Sequence, residues 1–111
     1  MTNLDEEING IIQDAKLDYT DLWSIIVSAN DASDADPRLS RMERTFALLR
    51  QLLARGFRAV DLAEGGKCVP WPDQSPNAII RRIEAEWRRI GLDEEPWVGA
   101  IFWFDLPKSR R

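Results

Sequence analysis

The sequence predicts an α+β fold: three or four helices with a small, mainly antiparallel three-stranded sheet, all in one domain spanning residues 1–111. Three observations carry this. Apolar residues recur at three- and four-residue steps in several separate stretches, the period of an amphipathic helix. Glu64-Gly65-Gly66 lies between two short β-prone runs, the composition of a hairpin turn. Trp97-Val98-Gly99-Ala100-Ile101-Phe102-Trp103-Phe104 is an unbroken apolar or glycine run, fenced by Pro96 before and by Asp105 and Pro107 after. A run of that length between prolines suits a strand better than a helix.

Ile8, Ile11, Ile12 and Ala15 place a helix over about Leu4 to Lys16, with Asp5, Glu6 and Glu7 at the positive end of its dipole. Thr20 can cap a second helix whose apolar side is Leu22, Trp23, Ile25, Ile26 and Ala29. The residue types leave open whether these are two helices or one bent one. Asn30 to Asp36 is a polar acidic loop. Asp36-Pro37 then reads as an N-cap followed by proline at the first helical position, with Leu39, Met42, Phe46, Leu49 and Leu53 as the stripe and Gly56 as the stop.

Phe57–Leu62 and Lys67–Trp71 form the expected hairpin, with Val60, Leu62, Val69 and Trp71 on its core face. Pro70 and Pro72 end the pairing, since neither can donate to a ladder. Ser75-Pro76 opens a last helix with the stripe Ile79, Ile80, Ile83, Trp87 and Ile90, closed by Gly91. In the final strand Trp97, Ile101 and Trp103 share one face, and Val98, Ala100, Phe102 and Phe104 the other. Chain order puts this strand at a sheet edge beside the first strand of the hairpin. An edge that greasy needs cover, either from the acidic N-terminal helices or from a second chain, so monomer and homodimer both stay open.

Composition narrows the function classes. The 111 residues carry a net charge of −4, no histidine and one cysteine, Cys68. Histidine is the commonest general base and metal ligand, and no carboxylate pair, nucleophile elbow or phosphate loop stands out, so a non-enzyme is expected. A single cysteine permits no internal disulfide, and Cys68 on a strand reads as a small buried hydrophobe. Acids fill the N-terminus where a signal peptide would be basic and then apolar, and no run approaches a bilayer span, so a cytoplasmic chain without membrane contact is expected. Five tryptophans, four of them in the last 41 residues, are taken as core aromatics rather than a stacking platform for bases or sugars.

The charge is divided. Residues 1–37 hold nine acids against Lys16, whereas residues 38–111 hold ten acids against fourteen bases. Asp31, Asp34 and Asp36 form one acidic loop, and Asp93, Glu94 and Glu95 a second. The first has oxygen-rich spacing, but a calcium loop needs a central glycine and a closing glutamate that are absent at the right offsets, so no metal and no cofactor are expected. These six residues are the candidate partner-binding set, suited to lysines and arginines on a nuclease, whose basic surface the loops and the acidic N-terminal helices would cover; the plainer explanation is solubilising loops. The competing site is basic. Arg38, Arg41, Arg44, Arg55 and Arg58, on a helix leading into a hairpin with Lys67 at its turn, have the local order of a winged helix that binds nucleic acid. The pI of about 4.8 argues against nucleic acid as partner.

Leu53 and Gly56, Asp61-Leu62, Pro70-Trp71, Arg82-Ile83, Trp87, Gly91, Ile101 and Trp103-Phe104 resemble a pattern in small bacterial proteins. In these a leucine-rich helix ends in glycine, a hairpin ends in Pro-Trp, and an Arg-Ile…Trp helix precedes an aromatic strand. Size, acidity and layout are similar to immunity proteins of contact-dependent and polymorphic toxin systems. That resemblance covers about half of the chain, at structural positions. It implies a cytoplasmic protein that binds and neutralises a cognate protein toxin, often a nuclease, and it transfers no functional residue.

Overall fold

A computed structural model describes residues 2–90 and 102–107. In chain order the elements are α1 (Leu4–Ala15), β1 (Thr20–Asp21), α2 (Leu22–Asp31), α3 (Arg41–Ala54), β2 (Arg58–Ala63), a 3-10 turn (Glu64–Gly66), β3 (Lys67–Pro70), α4 (Pro76–Ile90) and β4 (Trp103–Asp105). The strands form one antiparallel sheet in the order β1-β4-β2-β3. The α+β class is as expected, with four strands among the described residues rather than three. No helix among the described residues is long and apolar enough to cross a membrane.

The helix ends follow from their caps. Asn3 accepts from the Glu6 N–H at 2.9 Å while the Glu6 carboxylate accepts from the Asn3 N–H at 3.1 Å, a capping box that starts α1. Ser40 and Glu43 make the same box for α3, at 3.1 and 2.8 Å. This corrects the expected start at Asp36-Pro37. Two cap signals compete within five residues, and the box satisfies two orphan N–H groups where a lone aspartate satisfies one. Gly56, at φ 103°, closes α3; its N–H bonds Leu53 and that of Phe57 bonds Leu52, the paired bonds of a Schellman cap. Ser75 opens α4 as expected, its hydroxyl accepting from the Ala78 N–H.

Thr20 is a correction too. It lies in β1 opposite Phe104, and Asp21 takes the N-cap position of α2. Two residues show no alternation, so nothing local marks them as a strand. The strand exists because β4 offers an edge, continued by the Leu22 N–H bonding the Phe102 carbonyl at 3.1 Å. In consequence β4 lies between β1 and β2 rather than at the edge. The part of the expected strand from Trp97 to Ile101 lies outside the described residues.

The hairpin's core face also differs. Cys68 lies opposite Leu62 and Val69 opposite Asp61, so Val69 and Trp71 share a face with Ala59, and not with Val60 and Leu62. Ala59, Trp71, Phe102 and Phe104 face the helices and join Ile8, Ile25, Leu48, Leu52, Ile79, Ile83 and Trp87 in the main cluster. Val60 is buried on the other face, and Val69 is 43% exposed. At the outer edge, the Trp71 N–H bonds Ala59, and alternation turns the backbone groups of Cys68 and Pro70 outward. Since Pro70 has no N–H, only Cys68 offers a donor there, which blunts the strand against pairing with another chain.

Candidate functional site

Two acidic segments some thirty residues apart in the chain meet at one corner. The connection after α2 is tied to the start of α1 by the Ser33 N–H, which bonds the Thr2 carbonyl at 2.8 Å, and by the Leu4 N–H, which donates to Asp34 Oδ1 at 2.7 Å. Asp34 thus caps α1 alongside Asn3, with a negative charge at the positive end of the dipole. The first turn of α1 contributes Asp5, Glu6 and Glu7, and the Glu7 carboxylate accepts from the Thr2 hydroxyl. Of the sequence candidates, Asp31 and Asp34 are exposed and Asp36 is half-buried. Asp93, Glu94 and Glu95 lie outside the described residues.

The loop is held from beneath as well. Arg44 of α3 donates from Nε to the Asp36 carbonyl at 2.8 Å and from Nη1 to Asn30 Oδ1 at 3.3 Å. The Asn30 amide in turn donates to the Ile26 carbonyl at 2.8 Å and to Thr45 Oγ1 at 3.3 Å. Asp36 accepts from the Arg38 guanidinium at 3.1 and 3.0 Å and from its N–H at 2.9 Å. Those bonds, the guanidinium's first, hold the Asp36 carboxyl below the ordinary 3.8. The corner therefore presents carboxylates on a fixed backbone.

Nothing in the spacing of Asp5, Glu6 and Glu7 marks them as part of this site. A first-turn acid is explained locally by the dipole, and only the bonds of Ser33 and Leu4 bring these three to the loop.

The basic candidates are largely engaged within the fold. Arg38 pairs with Asp36, Arg44 supports the loop, and Arg58 grips Asp105 with Nε–Oδ1 3.0 Å and Nη2–Oδ2 2.7 Å. Arg55 and Lys67 are exposed. On α4, Arg88 and Arg89 pair with Glu84 and Glu86, and the Arg82 guanidinium stacks 3.9 Å from the centre of the Trp71 ring. Cys68 is half-buried rather than buried, its thiol 3.9 Å from Asp105 Oδ2.

Three depressions stand out on the surface of the described residues. One, of about 390 Å³, runs between α3 and α4 over the edge-to-face pair Phe46–Trp87. A second, of about 160 Å³, sits at the C-terminal end of α1 among Asp14, Asp18 and Asp21. The third, of about 180 Å³, lies within the acidic corner. Among the described residues no three potential metal-ligating side chains converge. Comparison with protein-family models, with curated proteins and with solved structures returned no match.

Proposed function

We propose that this chain is a non-catalytic, cytoplasmic binding protein of the immunity type, which neutralises a cognate protein toxin by covering a basic surface on it, such as the active face of a nuclease. The supporting observation is the corner itself: Asp5, Glu6, Glu7, Asp31, Asp34 and Asp36 are gathered from two segments on a backbone held by Asn30, Arg44 and the cap of α1. Fixing the loop in advance lowers the ordering cost of binding, and like charge focused on one face raises the association rate. Asp31 adds weight. It ends α2, at the negative pole of the helix dipole, where an acid gains nothing locally.

The test is capture from native lysate followed by rescue. The chain should retain a stable, basic protein partner and protect cells expressing that partner. If nothing basic is retained and no protection follows, the proposal fails.

One observation favours a second reading. The order α1-β1-α2-α3-β2-β3 parallels a winged helix. Against it, α2 and α3 are joined by the connection 32–40 instead of a three- or four-residue turn, and Arg38, Arg44 and Arg58 are held by groups of the chain itself. A gel shift measured against salt separates the two, since phosphate contacts give a steep salt slope that the immunity reading does not require.

A further inference from the structure

We infer that the groove at the centre of the acidic corner is a socket for a single lysine or arginine side chain of a basic protein partner. The inference rests on the binding role proposed above and names the feature that would anchor the partner. The floor of the groove is built by Leu4 of α1, Ala29 of α2, Ala35 and Leu39 of the connection and Ala47 of α3. Asp34 stands on its lining with one oxygen engaged: Oδ1 accepts the Leu4 N–H, and among the described residues Oδ2 accepts nothing. Arg44 also lines the groove, with its Nε and Nη1 bonds directed at the Asp36 carbonyl and Asn30 Oδ1.

An apolar floor beside a carboxylate with a spare oxygen matches a side chain that is aliphatic along its stem and cationic at its tip. The stem covers Leu4, Leu39 and the three alanines, and the charge reaches Asp34. A purely apolar side chain would desolvate Asp34 without replacing its water. A phosphate group would meet the carboxylates of the corner, and a second copy of the same corner would repel it. The six carboxylates of the corner outnumber the Arg38 and Arg44 guanidiniums beside them, so charge complementarity selects a basic partner.

Decalysine at low ionic strength is a suitable probe, followed on the full chain by calorimetry and by amide chemical shifts. Ala47 is exposed on α3, so Ala47→Leu fills the groove while keeping every charge and a good helix former. Asp34→Asn keeps an oxygen for the Leu4 N–H and removes the charge. Asp5→Asn with Asp31→Asn removes corner charge away from the groove. Ala47→Leu and Asp34→Asn should each weaken binding by about fivefold or more and abolish the shifts of Leu4, Ala29 and Ala35. If Ala47→Leu binds like the parent while the charge variants bind more weakly, the socket is overturned and the acidic-corner reading stands. If decalysine does not bind, or binds all variants alike, both are overturned.

Discussion

Gln74 offers the sharpest test of how this sheet is held. Its side-chain amide sits where a ladder bond between β2 and the end of the hairpin is missing. Oε1 accepts the Ala59 N–H at 3.0 Å, while Nε2 donates to the Ala59 carbonyl at 2.8 Å and to the Trp71 carbonyl at 2.9 Å. Ala59 is fully buried, so Gln74→Ala strands its N–H, although the Ala59 carbonyl keeps the Trp71 N–H. An ordinary hydrogen bond is worth roughly 1 kcal/mol net, and a stranded buried donor costs about 1–3 kcal/mol. Gln74 is itself half-buried, so water reaches part of the space, and about 2–3 kcal/mol is expected in total. With a urea slope of roughly 1–2 kcal/mol/M for a domain of this size, the midpoint should fall by about 1–3 M with the slope unchanged. The Ala59 amide should also exchange faster with solvent. A loss under about 0.5 kcal/mol would refute the reasoning, because it would mean that the stranded N–H finds another acceptor.

Other expectations follow from the same geometry. Asp34→Ala removes a cap of α1 and should cost about 1 kcal/mol in thermal unfolding, whereas Asp34→Asn should cost only a few tenths; equal losses would show that the charge, not the acceptor, matters. Arg58→Ala should cost about 1–2 kcal/mol, less than a buried pair because the side chain is 38% exposed, and Arg58→Lys should restore only part by losing the two-pronged grip on Asp105. Asp36, Glu43 and Asp73 are all held below their ordinary values of 3.8, 4.5 and 3.8, by the Arg38 side chain, the Ser40 N–H and the Ser75 N–H respectively. A depressed carboxyl contributes stability above its unfolded value and loses it as pH falls through the folded one. Circular dichroism should accordingly find no contribution from these groups to pH dependence above about pH 6, and falling stability below about pH 4. Changing Asp31, Asp34 and Asp36 together to Asn should slow association with a basic partner by roughly tenfold at low salt and much less at high salt; unchanged kinetics would remove the loop from the interface.

The candidate site was legible in part. Asp31, Asp34 and Asp36 stand out as a run, and composition places them where α2 ends and the connection begins. The acidic N-terminal helices were expected on the binding surface, but the join of Asp5, Glu6 and Glu7 to this loop was not legible, because each acid is explained by its own helix. The backbone N–H groups of Ser33 and Leu4 make the join, and backbone groups leave no trace in residue identity. Asn30 and Arg44 were hidden for a related reason: a polar residue on a helix is ordinary until its partner on the next helix is known. Val60 and Leu62 show the limit in the sheet, where a one-residue difference in pairing put them on the face opposite Trp71 and the helices.

By itself the sequence determined the helices, the cap of α4 at Ser75 and the stop of α3 at Gly56, because these are interactions within a few residues and are decided before the chain folds back. It also determined the division of charge, the absence of histidine and the hairpin around Gly65. Tertiary structure decided everything that needs a distant partner: the two-residue strand Thr20–Asp21, the interior position of Trp103–Asp105 and the single acidic corner. Non-local pairings cost loop-closure entropy and form only when burial elsewhere offsets it. Their outcome is therefore a property of the packed whole and not of any one stretch.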